Sequence, residues 1–279
     1  MGKNGPLGHR KELKMKKFFK EILYKNLSQE ILIKKEIINI NSSFQNIKIL
    51  DTFSFGKMLV LDNIIQVSEK DESGYSEMLA HIPIFSLSKP KNILIIGGGD
   101  GAVAEEVLKH KNILSLDLVD IDEKVIELSK KYFSKINKGV FNDKRIKVYK
   151  EDAFNFIDKC IKKYDVVIAD RPDSKGVAKT LYKEKFYKNI SNILSLNGVT
   201  IFQSGVPFFQ KKETRQTLLS CKKYFNYNGI IITVVPSYIG GFMALVWASN
   251  KTNLCKIKKA TLKKIKKTNI KTEYYNSDI

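Results

Sequence analysis

Metal-binding side chains are scarce in this chain. Three cysteines (Cys160, Cys221 and Cys255) and three histidines (His9, His81 and His110) are scattered over 279 residues, with no CxxC and no Cys/His grouping. That spacing argues against a zinc site or a disulfide framework and suits a reducing compartment, so a cytoplasmic protein with no metal is expected. Long apolar runs are missing as well. None approaches the roughly 20 residues needed to cross a bilayer. The basic start, MGKNGPLGHRKELKMKKFF, lacks the apolar stretch of a secretory signal. No membrane partner is expected. No internal repeat is visible.

Acidic residues are outnumbered: 29 Asp and Glu face 49 Lys and Arg, a formal net charge of +20. Such a balance can serve polyanion binding. Here the lysines crowd at the two ends, from Lys11 to Lys20 and from Lys256 to Lys267, while much of the acid lies between. The pattern reads as a solvated lysine-rich surface, with no specific nucleic-acid partner. At 43% hydrophobic residues the chain can bury an ordinary core.

Along the chain three regions separate. Residues 1–28 read as an irregular or helical arm. Residues 29–70 carry short β-prone runs, ILIKKEIINI, FQNIKILDTF and GKMLVLDNIIQV, parted by Asn, Ser, Asp and Gly, which predicts a small antiparallel sheet. Residues 71–279 begin with a helix around SEMLAHIPIF that Pro83 is expected to kink or end. Apolar runs then alternate with helical stretches: NILII, SLDLV, IKVY, DVVIA and VTIFQ, each followed by a helix. Near-continuous hydrophobic strands predict a mostly parallel sheet covered on both faces, a Rossmann-like, doubly wound α/β domain. GIIITVV and MALVWAS are expected to form a hairpin at its edge, and KIKKATLKKIKK a basic helix.

The chemistry concentrates at strand ends. In ILIIGGGDGAVAEEVLKH, Gly97, Gly98, Gly99 and Gly101 permit a tight turn and close approach to a ligand. NAD, FAD and S-adenosyl ligands all use such turns. Asp100 favours the last, because an acid inside the loop repels a pyrophosphate and suits a cationic amino or sulfonium group. Asp120 follows 20 residues later at the end of the next strand, where a carboxylate can hold a ribose diol. Asp152 in KEDAFNFI can accept from an adenine amino group or cap a helix. Asp170 and Asp173, at the end of DVVIA, form either an Asp–Pro turn or a trap for an amine.

In order along the chain, SSFQNIKILDT, LVLDNIIQVSEKDESGYSEMLAHIP, LIIGGGDGAVAEEV, VDID, EDAF, DVVIAD-x-x-D, LYKEKFY, FQSG, VPSYIGG and TEYYNSDI resemble the spermidine synthase family from about Gln45 to Asp278. The resemblance implies a class I methyltransferase-like fold. It implies aminopropyl transfer from decarboxylated S-adenosylmethionine to a diamine, putrescine first, with release of 5′-methylthioadenosine. The donor is a co-substrate, so no cofactor is expected; a homodimer or homotetramer is. On the donor side it places Gln45, Gln66, Gly97, Asp100, Asp120, Asp152, Ala153 and Asp170. Asp100 is to hold the amino end of the transferred chain, Asp120 the ribose and Asp152 the adenine. On the acceptor side it places Tyr75, Asp173, Gln203 and Tyr238. Asp170 matches the family's acid-base residue, and the segment from Asp173 to about Lys179 its gate loop.

Two features depart from the family. Arg171, Lys175 and Lys179 stand beside the amine site that the resemblance implies. Either they point to solvent, or Arg171 binds a carboxylate, of intact S-adenosylmethionine or of a carboxylated acceptor. Ser76 stands where the family often has His or Gln, which is expected to enlarge the pocket or admit a water and to affect the choice of amine, putrescine against agmatine or a longer one. The chain also stops at TEYYNSDI, where members usually run on. A methyltransferase and a non-catalytic polyamine or nucleic-acid binder are the rival readings. The methyltransferase would not need the acid pair Asp170 and Asp173, and the intact acids Asp100, Asp120, Asp152, Asp170 and Asp173 argue against a binder that has lost the chemistry.

Overall fold

In the computed structural model, described over residues 17–172, 176–256 and 259–278, the first strands form an antiparallel meander: β1 (Lys17–Tyr24), β2 (Leu27–Asn41), β3 (Asn46–Thr52), β4 (Lys57–Leu61) and β5 (Ile64–Ser68), each paired with the next. This corrects the expected arm. From Lys17 onward the chain belongs to the sheet, β1 and β2 being joined by a two-residue turn at Lys25 and Asn26. The charged run KFFKEILY disguises a period-2 strand that turns Phe19 and Glu21 inward and Phe18, Lys20 and Ile22 outward. Residues 1–16 lie outside the described residues.

The larger sheet comprises β6 (Asn92–Gly97), β7 (Ser115–Val119), β8 (Ile146–Tyr149), β9 (Tyr164–Asp170), β10 (Leu194–Gln203), β11 (Tyr227–Val234) and β12 (Phe242–Ser249), in the order β11-β12-β10-β9-β6-β7-β8. From β10 to β8 neighbours run parallel; β12 pairs antiparallel with β10, and β11 with β12. The expected edge hairpin is therefore present. Alternate residues of β6 supply two cores. Ile93 and Ile95 pack with helix α1 (Ser73–Ser86) and helix α2 (Ala102–Leu108) on one face. Leu94 and Ile96 pack with the helices Ala153–Lys159 and Glu184–Ile193 on the other. All four are fully buried, and truncating any one to Ala costs about 2–5 kcal/mol.

The meander is fixed to this domain through apolar contact. Ile47, Ile49, Leu59 and Val67 pack against Ala102 and against Val125 and Leu128 of helix α3 (Glu123–Tyr132). It therefore roofs the carboxyl ends of β6 and β7. Helix α1 continues through Pro83 to Ser86, so the proline does not end it. It is also tied from below. The Glu77 carboxylate accepts the backbone N–H groups of Glu273 (2.7 Å), Tyr274 (2.9 Å) and Tyr275 (2.6 Å), docking the C-terminal segment under the helix. The basic helix Lys259–Lys267 is anchored too, Lys264 Nζ donating to the carbonyls of Leu87 and Ser88 at 2.6 and 3.0 Å.

Candidate active site

Strand order reverses at β6. The chain leaves it toward β7 on one side and returns at β9 on the other, so a crevice opens between the carboxyl ends of β6 and β9. Gly97 pairs there with Asp170. A Cβ at position 97 would lie 2.0 Å from the Asp170 carbonyl oxygen, and φ is +80°, so only glycine allows the strands to converge here. At Gly99 a Cβ would lie 2.6 Å from Asp120 Oδ2, which instead accepts the Gly99 N–H at 3.0 Å.

One cavity in this crevice is lined by Gln45, Gln66, Tyr75, Gly97, Asp100, Asp120, Asp152, Ala153, Asp170, Gln203 and Tyr238. The residues singled out from the sequence thus converge, from nine separate segments. Asp173 lies outside the described residues, as do Ser174 and Lys175. On the nucleoside side, Asp120 accepts from Gly99 and, through Oδ1, from the Asp122 N–H at 2.9 Å. Asp152 caps the helix Ala153–Lys159, its Oδ1 accepting from Phe154 and Asn155, as the helix-cap reading expects, and the residue also lines the cavity. Gln45 donates to Asp122 at 2.9 Å, which fixes its amide beside the cavity. On the other side, Tyr75 Oη donates to Asp170 Oδ1 at 2.6 Å. The ring of Tyr238 meets that of Tyr75 edge-on at 6.4 Å, and its hydroxyl donates to the Gln66 carbonyl.

The electrostatics follow from burial of like charges. Burial lifts Asp170 to about 7, helped by the Asp100 charge and opposed by the Tyr75 hydrogen bond. Burial lifts Asp120 to about 6 against two backbone hydrogen bonds, and it raises Asp100. Burial and the Asp170 charge hold Tyr75 well above its ordinary value, so it stays a donor. Although the chain carries +20, the cavity is acidic. Glu21, Asp71 and Glu72 line it as well, and Arg171 is the one basic residue among the described lining. Such a pocket attracts cations.

Arg171 meets neither expectation. It is 1% exposed, so it does not face solvent. Its guanidinium donates to the Leu181 carbonyl, the Gln203 carbonyl (3.4 Å), Tyr187 Oη (3.1 Å) and Thr217 Oγ1 (3.0 Å), and lies 3.7 Å from the Tyr182 ring centroid. Its donors are committed to the protein, which removes the basis for carboxylate binding. Of the other cations flagged beside this site, Lys179 is exposed. Ser76 is fully buried and does not line the cavity; its hydroxyl donates to the carbonyl and carboxylate of Glu72.

Three acids escaped the sequence reading. Glu21 hides in the misread β1, where it accepts from Gln29 (2.6 Å) and the Ile65 N–H (2.8 Å). The alternation of Phe19, Glu21 and Leu23 was the available signal. Asp71 joins the start of α1 to the Tyr238 loop by accepting the Ser237 N–H at 2.6 Å. Glu72 precedes α1 in the segment SEKDESGY.

Known proteins match this arrangement. The spermine/spermidine synthase domain model matches residues 72–259, and the spermidine synthase tetramerisation domain model matches residues 17–69. A polyamine aminopropyltransferase of Buchnera aphidicola subsp. Acyrthosiphon pisum is 38% identical over 268 residues, 95% of this chain and 93% of that protein. One from Methanocaldococcus jannaschii is 36% identical over 94% of this chain and 89% of its own. A crystal structure of spermidine synthase in complex with the transition state analogue AdoDATO superposes with a TM-score of 0.89 at 28% identity, covering 100% of this chain and 92% of that one. The Thermotoga maritima spermidine synthase gives 0.86 at 28% identity.

Proposed function

Since the chain belongs to the spermine/spermidine synthase family and is an aminopropyltransferase, we propose that it moves the aminopropyl group of decarboxylated S-adenosylmethionine onto putrescine, forming spermidine and 5′-methylthioadenosine. The observation that carries this reading is the Tyr75–Asp170 pair, 2.6 Å apart, at the end of a cavity lined by carboxylates. Such a cavity favours two cationic substrates at once.

The donor carbon is bonded to a positive sulfur and is already electrophilic. The nucleophile sets the difficulty. An alkylammonium has a pKa of about 10.4, so freeing its lone pair at pH 7 costs about 4–5 kcal/mol. Asp170 is positioned for this proton. Its pKa near 7 makes it a stronger base than an ordinary carboxylate, and Tyr75 fixes its orientation. The amine nitrogen forms the new N–C bond as the C–S bond breaks, the sulfur keeps the bonding pair, and the ammonium proton passes to Asp170. Asp100, Asp120, Asp152 and Gln45 hold the donor. Asp173, Gln203 and Tyr238 hold the distal end of the diamine. The leaving group is already activated, so the step needs no resident cofactor or metal.

The match of residues 17–69 to a tetramerisation domain supports a homo-oligomer, dimer or tetramer. Phe18 and Ile22, 54% and 66% exposed on β1, give that sheet an apolar outer face. Among the described residues no helix is long and apolar enough to cross a membrane; we place the enzyme in the cytoplasm, where its small-molecule substrates occur. A mass-spectrometric assay of putrescine, agmatine and longer amines against both the decarboxylated and the intact donor tests the reading. Spermidine from the decarboxylated donor is expected. Product only from intact S-adenosylmethionine, or only from another amine, would refute it.

A further inference from the structure

Glu72 sits at the residue before α1, and its carbonyl accepts the N–H groups of Tyr75 and Ser76 at 2.9 and 2.8 Å. A side chain in that position commonly caps the helix. This one does not; it lines the active-site cavity instead. Its Oε2 accepts the hydroxyl of Ser76, one helical turn on, and the same hydroxyl reaches the Glu72 carbonyl at 3.0 Å. Ser76 is thus a buried bracket for Glu72. Among the described residues, no cation pairs with this carboxylate and its other oxygen takes no hydrogen bond.

A carboxylate held in a cavity without a counter-ion is half of an ion pair. Burial first, and then the charges of Glu106, Asp100 and Glu77, lift Glu72 to about 7. Of these acids only Asp100 also lines the cavity. Asp100 is the residue assigned to the amino end of the donor chain. An ammonium placed between Asp100 and Glu72 would relieve both. A donor that still carried its α-carboxylate would bring a further negative charge into this acidic cavity, with the Arg171 guanidinium committed to Leu181, Tyr187 and Thr217 and no other described cation in the lining.

We propose that Glu72, held by the Ser76 hydroxyl, is the second carboxylate of the donor's ammonium site and selects a donor that has lost its α-carboxylate. The inference rests on the aminopropyl-transfer reading above. It makes Ser76 a positioning residue that acts through Glu72 and not by enlarging the pocket.

The test is calorimetric titration of the wild-type and Glu72→Gln proteins with three nucleosides: 5′-methylthioadenosine, which has no chain amine, decarboxylated S-adenosylmethionine, and intact S-adenosylmethionine. Glu72→Gln is expected to bind 5′-methylthioadenosine as the wild type does and the decarboxylated donor about tenfold more weakly, about 1.4 kcal/mol. Its preference for the decarboxylated over the intact donor should fall by a similar factor. Ser76→Ala should lower that preference about threefold, and it decides the matter if Glu72→Gln no longer binds 5′-methylthioadenosine. An unchanged preference, or equal weakening toward all three nucleosides, overturns the proposal alone. A wild-type protein that binds none of them overturns the functional reading, and this inference with it.

Discussion

Replacing Asp170 by Asn should make the protein more stable and nearly inactive. The substitution keeps the shape and leaves an oxygen to accept the Tyr75 hydrogen bond, but it removes a charge from a site already holding Asp100 and Asp120. The rise from 3.8 to about 7 corresponds to about 4 kcal/mol of unfavourable interaction in the ionised form. Solvent reaching the cavity screens part of it, so a gain of about 2 kcal/mol is expected. The sign follows from proton binding. The folded state holds the Asp170 proton up to about pH 7, whereas the unfolded chain releases it near pH 4, so stability falls as pH rises between the two. The gain in Asp170→Asn should be small at pH 4.5 and complete above pH 7.5. Urea unfolding of both proteins at pH 4.5, 6 and 8 measures it. In the same preparations turnover should fall by about 10²–10⁴, the range for loss of a general base, with 5′-methylthioadenosine binding retained. An equal stability difference at all three pH values, or wild-type turnover, would refute the reasoning.

Donor binding should release protons. Asp170 and Glu72 titrate near 7 and Asp120 near 6 in the free cavity, and a bound cation favours their ionised forms. Calorimetry in two buffers of different ionisation enthalpy should show release at pH 6.5 and almost none at pH 9; uptake would contradict this. Arg171→Lys should cost about 2–4 kcal/mol, because an ammonium cannot serve the Leu181 carbonyl, Tyr187 and Thr217 together. It should leave donor preference unchanged, and thermal unfolding with a two-donor assay checks both. Glu77→Ala should cost about 3 kcal/mol by freeing three backbone N–H groups at Glu273, Tyr274 and Tyr275. The loosened α1 carries Tyr75, so the KM for the amine should rise, and steady-state kinetics would show it.

The doubly wound sheet was legible because its central strands are buried on both faces. Runs such as NILII and DVVIA have no competing reading between a glycine turn and an acid. The donor acids were legible for a related reason: Asp120 and Asp170 stand at the carboxyl end of a strand and Asp100 and Asp152 close after one, where the fold gathers ligands. Strand β1 was not. Its inward Glu21 and outward Phe18 and Ile22 invert the polarity a strand is expected to show, because the acid serves the cavity and the apolar face looks away from the chain's own core. Arg171 was misread because nothing local buries it. Its partners Leu181, Tyr187, Gln203 and Thr217 come from four segments that meet only in the folded state. Ser76 and Glu72 form a pair one helical turn apart, and no sequence pattern distinguishes such a bracket from an exposed polar turn.

The central claim is the transfer of an aminopropyl group to a diamine. Incubating the protein with decarboxylated S-adenosylmethionine and putrescine, and quantifying both products by mass spectrometry, tests it most directly. Spermidine and 5′-methylthioadenosine should form in equal amounts, and neither should form with Asp170→Asn over the same interval. Absence of both with the wild-type protein, or a methylated amine formed from intact S-adenosylmethionine in their place, would contradict the account.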